Sequence, residues 1–214
     1  MLKRKYQGIV TVISGFSGAG KGTIVKHLLS KYENTYNLSI SATSRAPRTG
    51  EEEGRDYFFK TREEFEQMIE DGELLEYTQF NGNYYGTPKP YVMDVTSQGR
   101  DVILEIEIDG ALQIKKLFPE ALLLFVTPPD ARTLKERLVG RGTESPDVIE
   151  QRLALAYDQS FEMDKYDYLI INDDLEECVS QVHRIIQSER YRCFRNTDNI
   201  KDMQDELRIF AKGD

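Results

Sequence analysis

The stretch GIVTVISGFSGAGKGTIVKHLLSKY, residues 8–32, decides the fold. Its first six residues are apolar or β-branched with no polar alternation, and Ser14 follows, the signature of a strand covered on both faces. Four glycines follow within eight residues, at 15, 18, 20 and 22, and Lys21 stands between the last two. From Lys21 to Tyr32 the apolar residues Ile24, Leu28 and Leu29 recur at helical spacing. Strand, glycine-rich turn and helix in that order form a cradle for phosphate. Glycine lets the backbone curl so that its N–H groups face the oxygens, the helix N-terminus adds positive potential, and a lysine reaches the outer phosphates. Gly15, Phe16, Ser17, Gly18, Ala19, Gly20, Lys21, Gly22 and Thr23 are the expected binding residues. The strict pattern places Ser or Thr directly after the lysine, whereas here Gly22 stands there and Thr23 follows.

Outward from this loop, further apolar runs at Leu38–Ser44, Asp101–Glu107, Ala121–Thr127 and Asp167–Asn172 read as buried strands. Helical sequence alternates with them, including 129–139 with Leu134 and Leu138 on one stripe. This alternation predicts an α/β fold, a parallel phosphate-loop sheet with flanking helices, open to ligand at the carboxyl ends of its strands. One segment breaks the rhythm. Residues 55–85 run strand (RDYFFK), helix (REEFEQMIEDGE) and strand (LLEYTQF) before an Asn81–Gly82 turn, with Thr61 and Glu64 spaced as a capping box. A small inserted lobe is expected there. Residues 140–146 (GRGTESP) form a second polar insertion between helices, with the glycines of a mobile lid. After Gln187, Met203, Leu207 and Phe210 share the stripe of an appended helix, following a polar break at 196–199, and that stripe needs a surface in this chain or a partner.

Composition narrows the function. The 214 residues are 39% hydrophobic and 30% charged, which suits one compact domain. The formal charge of −9 disfavours a nucleic-acid polymer and points to a small phosphorylated ligand met by locally focused cations. No run of 18 apolar residues and no leader-like start are seen, so neither a membrane span nor secretion is expected. Two cysteines, Cys178 and Cys193, without metal spacing or scaffold density fit reduced thiols in a cytoplasm. His27 and His183 lack metal-ligand spacing and carry no assigned chemistry.

Five further segments carry a resemblance. SATSRAPRTGEEEGRDYFF (41–59), LLEYTQFNGNYYGT (74–87), VILEIEIDGA (102–111), VGRGTES (139–145) and INDD (171–174) are similar to guanylate kinases, and the likeness covers roughly residues 8–187. The GKGT order after the loop also resembles that of adenylate kinases. The resemblance implies a core at 1–37, 88–139 and 147–187, a GMP-binding lobe at about 38–87, a lid at about 140–146 and a helical extension at 188–214. It implies transfer of the γ-phosphoryl group of ATP to GMP or dGMP, with Mg²⁺ accompanying ATP.

By the same resemblance Arg45, Arg48, Tyr57 and Tyr85 grip the GMP phosphate, while Ser41, Glu76, Thr87 and Glu107 read guanine. The chemistry agrees. Guanidinium forks match phosphate oxygens bidentately, and guanine offers N1–H and its 2-amino group as neighbouring donors that a carboxylate can accept together. An alternative for the arginines is solvated pairing with the acidic run at 51–53. Lys21, Arg137, Arg141 and Arg152 are the implied catalytic cations, converging on the ATP phosphates when the lid closes, and Asn172 borders the adenine. Two residues depart from the family: Glu107 where Asp is frequent, and Asp109 where Gln is frequent.

Two rival functions remain at this level. A non-catalytic binding module on the same fold would lack the loop lysine and lid arginines, yet Lys21, Arg137 and Arg141 are present. A kinase of AMP or a sugar phosphate would not need the combination of Tyr57, Glu76 and Tyr85. A homo-oligomer is compatible with the appended helix.

Overall fold

The computed structural model describes residues 7–80, 82–140, 142 and 145–211. Its centre is β1 (Val10–Gly15), buried along its whole length. Parallel neighbours flank it on both sides: β7 (Asp101–Glu105), with Ile13 opposite Glu105, and β8 (Leu122–Thr127), with Gly15 opposite Val126. β2 (Tyr36–Leu38) and β9 (Tyr168–Ile171) close the edges, giving the order β2-β7-β1-β8-β9. All pairings in this sheet are parallel. Every strand therefore ends on the same edge.

Alternate residues of β1 enter two cores, which is why its sequence shows no polar alternation. Ile9 and Ile13 pack with Ile24 and Leu28 of α1 (Lys21–Lys31) and with Val179, Val182 and Ile186 of α7 (Leu175–Glu189). Val10 and Val12 face the other way, onto Val92 and Val95 of α3 (Lys89–Ser97) and Ala111 and Ile114 of α4 (Ile108–Leu117). At the amino edge the carboxylate of Asp101, fully buried, accepts from the Ile9 N–H at 2.9 Å and pairs with Arg190 just beyond α7. This clasp ties the end of α7 to the start of two central strands.

A second sheet, ordered β4-β3-β6-β5, comprises β3 (Ala42–Thr43), β4 (Phe58–Phe59), β5 (Leu74–Phe80) and β6 (Asn83–Pro88). α2 (Arg62–Glu70) covers it, starting at a complete capping box: Thr61 Oγ accepts from the Glu64 N–H at 3.1 Å, and Glu64 accepts from the Thr61 N–H at 2.7 Å. Phe65 anchors this helix, fully buried and stacked on Tyr84 at 5.2 Å between ring centroids. α5 (Ala131–Gly140), α6 (Pro146–Ser160) and α8 (Thr197–Ala211) complete the chain.

Three sequence expectations need correction. Leu38–Ser44 is not one core strand: Leu38 ends β2 in the first sheet, and Ala42–Thr43 belongs to the second. The serines at 39 and 41 mark the crossing, where the Ser39 N–H donates to the Ile103 carbonyl as its last tie to the first sheet. Residues 167–172 are not a fully covered strand, because β9 lies at the sheet edge and leaves Tyr168, Leu169 and Ile171 exposed. The polar break at 196–199 is shorter than expected, since α8 already begins at Thr197. All of α8 that is described is exposed, Phe210 at 82%. Pro88 caps α3 and Pro90 falls in its first turn, where the missing N–H has no helical acceptor to lose.

Because Phe65 is the one fully buried residue of α2, Phe65→Ala should destabilise the protein by about 3–5 kcal/mol. Urea unfolding followed by circular dichroism measures this; a loss below about 1 kcal/mol would mean that α2 does not hold the second sheet.

Candidate functional site

The loop between β1 and α1 is shaped by close approaches that only glycine allows. Gly15 has φ +138°, and a Cβ there would lie 2.0 Å from the Val126 carbonyl oxygen of β8. Gly20 caps α1 at φ +95°, and a Cβ there would lie 2.5 Å from Nδ2 of Asn172. That amide donates to the Ala19 carbonyl at 2.8 Å, so Asn172, buried at the end of β9, braces the loop from below. Lys21 folds back over the same loop, donating from Nζ to the carbonyls of Gly15 at 2.7 Å and Phe16 at 3.3 Å.

Two of the expected arginines converge here. Arg137, in the last turn of α5, donates to the carbonyls of Ala19 at 3.3 Å and Asn172 at 2.8 Å. Arg152, on α6, donates to the Ser17 hydroxyl. Ser17, Ala19 and Lys21 thus share one neighbourhood with Arg137, Arg152 and Asn172. Arg141 lies outside the described residues, as do 143 and 144 of the expected lid.

The second sheet presents the other group. Glu76 on β5 pairs in register with Thr87 on β6, just after a bulge between Leu74 and Glu76 that re-aims the strand. Its side chain is only 4% exposed, and Oε1 accepts from the Thr87 hydroxyl at 2.6 Å. Burial pushes its carboxyl up to about 7, with the Thr87 hydroxyl and N–H partly opposing the rise. The neighbouring helix makes room: a Cβ at Gly110 of α4 would stand 2.4 Å from Oε2. Gln113, one turn on, ties α4 to β5 by accepting from the Tyr77 N–H at 3.3 Å and donating to its carbonyl at 3.0 Å.

Arg45 occupies the mouth of this sheet. Nη1 and Nη2 each donate to one carboxylate oxygen of Glu51 at 3.0 Å, and Nη1 also donates to the Ala46 carbonyl at 2.7 Å. Its Cζ sits 5.4 Å from the Tyr57 ring centre, and the Tyr85 phenol stands close enough to favour its charge. Tyr57 and Tyr85 meet edge to face at 6.2 Å. Burial holds the Tyr57 phenol above its ordinary range. Arg48 is exposed, but its N–H donates to Glu51 at 2.8 Å, so one carboxylate fixes both arginine positions. Ser41 is half-buried, and its carbonyl accepts from the Phe58 N–H at 2.9 Å, joining β3 to β4. Of the two arginines, only the Arg45 guanidinium is seen paired with the acidic run, through a Glu51 side chain 19% exposed, and Arg48 meets it through its backbone N–H.

Between the two groups stand the acids at the end of β7. Glu107, 61% exposed, places Oε1 3.9 Å from the Lys21 ammonium. Glu105 is half-buried; burial raises its carboxyl, with Lys21 opposing and Glu107 reinforcing the rise. Glu105, Gly110 and Gln113 were given no role from the sequence, and Glu51 entered only within the acidic run at 51–53. Glu51 carried a faint signal in its place three residues after Arg48. The other three show their significance only through contacts made across the fold.

The arrangement offers a cationic cradle at one end, an enclosed carboxylate at the other and a guanidinium between two tyrosines on the way. The guanylate kinase family profile matches residues 7–189. The chain is 46% identical over 206 residues to a guanylate kinase of Streptococcus thermophilus strain CNRZ 1066, covering 96% of this chain and 99% of that one. It is 48% identical over 204 residues to one from Bacillus cereus strain ZK / E33L, covering 95% and 100%. The crystal structure of guanylate kinase from Anaplasma phagocytophilum superposes with a TM-score of 0.73 at 28% identity, over 90% of each chain. With its fold, its phosphate loop and nearly its whole length matched, this chain belongs to the guanylate kinase family.

Proposed function

We propose that this protein phosphorylates GMP, and more slowly dGMP, with ATP, yielding GDP or dGDP and ADP. The observation that carries the reading is Glu76: a buried carboxylate bonded by Thr87 and facing the glycine of α4, in the same molecule as an intact phosphate loop. Guanine presents two adjacent donors, N1–H and the 2-amino group, and a carboxylate accepts both. Adenine presents an acceptor at N1, which would leave the buried acid facing a lone pair.

In this reading the lobe at about 38–87 carries GMP, with Ser41, Thr87 and Glu107 beside the base and Arg45, Arg48, Tyr57 and Tyr85 on its phosphate. The loop from Gly15 to Thr23 cradles the ATP phosphates, and Asn172 braces that loop next to the adenosine end. An oxygen of the GMP phosphate attacks the γ-phosphorus as the bond to the ADP oxygen breaks. The nucleophile is already an anion, so no side chain has to remove a proton. The protein's work is to align two polyanions and to spread cations over the transferring group. Lys21, Arg137 and Arg152 are near the loop for that purpose, and Arg141 belongs to the lid segment at about 140–146.

Among the described residues no cluster of three or more His, Cys, Asp or Glu could hold a metal unaided. The acids Glu105 and Glu107 beside Lys21 suit an ion delivered with the triphosphate, and Mg²⁺ would supply charge neutralisation there. Among the described residues no helix is long and apolar enough to cross a membrane. The buried, unpaired Cys178 and the exposed, unpaired Cys193 favour a reducing cytoplasm. The extension at 188–214, with the apolar stripe of α8 open, is where a homo-oligomer would form.

The decisive assay is ADP release across GMP, AMP, CMP and UMP with ATP and Mg²⁺. GMP should lead by at least about a thousandfold in kcat/KM; equal turnover of AMP and GMP would discard the guanine reading. Lys21→Met should abolish turnover while calorimetry finds GMP affinity within about threefold of the parent, since the lysine serves the donor side.

Protonation of Glu76 gives a pH signature. Its carboxyl holds a proton below about 7, and that proton must leave before both oxygens can accept from the guanine N–H donors. KM for GMP should therefore rise by up to about tenfold per unit as pH falls from 7 to 5.5, and level off above 8. Glu76→Gln should lower kcat/KM for GMP by about 10²–10³-fold and flatten the profile. A profile unchanged in that variant would assign the titration to another group.

Glu51 should act through Arg45. The two η-nitrogens already serve Glu51 and Ala46, which leaves Nε and the second Nη2 hydrogen of the five donors for a phosphate. Glu51→Ala should raise KM for GMP about tenfold, worth about 1.4 kcal/mol, with kcat changed less than about threefold. An unchanged KM would show that Arg45 needs no such brace.

A further inference from the structure

β5 is the last strand in the order β4-β3-β6-β5, so one side of its backbone has no strand to pair with. What stands on that side is α4, a helix of the core, whose Ala111 and Ile114 are buried in the cluster under the first sheet. Gln113 of that helix meets the strand edge as a neighbouring strand would. Its Oε1 accepts from the Tyr77 N–H at 3.3 Å and its Nε2 donates to the Tyr77 carbonyl at 3.0 Å, so one side-chain amide serves both backbone groups of one residue.

The place of this clamp matters more than its strength. Tyr77 directly follows Glu76, and Gln113 stands three residues after Gly110, on the same face of α4. The helix therefore meets β5 twice. At Gly110 the Glu76 carboxylate comes so close that a Cβ would stand 2.4 Å from Oε2, and one turn on Gln113 holds the Tyr77 backbone. Glu107 caps the start of the same helix, so both acids assigned to guanine take their positions from α4. Tyr77 is 41% exposed, and water can replace either partner of these bonds, so the clamp adds little to the stability of the fold. What it does fix is register. A strand that slips by one residue turns every side chain to its other face, and a slip of β5 along α4 would carry Glu76 off Gly110.

We propose that Gln113 is a positioning residue for guanine: by holding the Tyr77 backbone on α4, it sets the distance and tilt at which the Glu76 carboxylate meets the N1–H and 2-amino donors. This rests on the GMP reading above and adds what aims its carboxylate. A carboxylate held in the right plane accepts both donors at once, whereas one that is turned or displaced keeps one bond and loses alignment with the other. Loss of the clamp should therefore fall on the second donor. Inosine monophosphate, whose base keeps N1–H and lacks the 2-amino group, has no second donor to lose.

The test compares GMP and inosine monophosphate as acceptors for the full chain with ATP and Mg²⁺. Gln113→Met keeps the length and the apolar stem and removes both bonds to Tyr77. It should raise KM for GMP about tenfold, with kcat changed less than about threefold and KM for ATP within about twofold of the parent. The ratio of kcat/KM for GMP to that for inosine monophosphate should fall by about tenfold, which a general loosening of the fold would not produce. Gln113→Glu keeps the acceptor for the Tyr77 N–H and loses the donor; it should shift the ratio the same way by about threefold, and it carries the reading should the methionine variant not fold. In the Glu76→Gln background, Gln113→Met should change kcat/KM for GMP less than about threefold, because the group it aims is gone. Equal losses for the two acceptors, or the full tenfold loss repeated in the Glu76→Gln background, would overturn the proposal. If the unsubstituted protein turns over GMP no better than AMP, the guanine reading itself fails; a parent that prefers GMP beside a Gln113→Met variant with the parent's ratio sinks the positioning role alone.

Discussion

The position of β1 between two parallel partners is the constraint on which the rest depends. A strand buried along its whole length must end somewhere, and its parallel neighbours must end on the same edge. The glycine loop leaves β1 at that edge, Glu105 and Glu107 stand at the end of β7, and Asn172 follows β9. None of these groups is near another in sequence; the sheet brings them together. The approach of Gly15 to the Val126 carbonyl is where the constraint is tightest, because any side chain there would meet backbone that cannot yield. The clasp of Asp101 on Ile9 and Arg190 fixes the opposite edge, so the strands cannot slide to relieve such a clash.

The second sheet solves a different problem. It must hold an acid away from water, and that costs free energy in proportion to how completely the charge is enclosed. Glu76 tolerates its position by two means: a strong bond from Thr87, and a carboxyl that takes up a proton at near-neutral pH when no ligand is there. An acid stabilised fully by its own protein would gain little from a ligand. An acid stabilised only in part gains much from a partner that supplies two donors, and it resists a partner that supplies none. In the proposed reading, selectivity between purines is in this sense a property of incomplete satisfaction.

How far the sequence spoke for itself depended on whether the cause was local. The loop from Gly15 to Thr23, the capping box of Thr61 and Glu64, and the apolar runs of β1, β7 and β8 were legible because strand burial, capping and glycine turns are written in neighbouring residues. The split of 38–44 between two sheets was not, because short apolar runs say nothing about which sheet they join. The exposure of β9 was missed for a similar reason: an edge strand carries the same apolar residues as a central one. Of the site, the family segments named Arg45, Tyr57, Glu76 and Tyr85, whereas Gly110 and Gln113 owe their meaning to contacts 34 and 36 positions away, with Glu76 and Tyr77. Such pairings are properties of the folded chain alone.

The cations of the ligand-free site share one habit. Lys21 rests on the carbonyls of Gly15 and Phe16, Arg137 on those of Ala19 and Asn172, Arg152 on the Ser17 hydroxyl, and Arg45 on Glu51 and Ala46. Lys21 and Arg137 thus bond backbone carbonyls, although the Glu107 carboxylate also stands 3.9 Å from the Lys21 ammonium. A phosphate offers these donors an anionic acceptor in place of a neutral carbonyl, and the bond with both partners charged is the stronger. Arg45 differs, since its partner is a carboxylate, and a phosphate gains less by displacing it than by binding alongside. In the proposed reading, Lys21 and Arg137 on the donor side can exchange carbonyls for phosphate, while Arg45 on the acceptor side keeps its carboxylate. Exchangeable partners on the donor side and a retained one on the acceptor side suit an in-line transfer between two polyanions, because the acceptor has to be aimed while charge shifts on the donor.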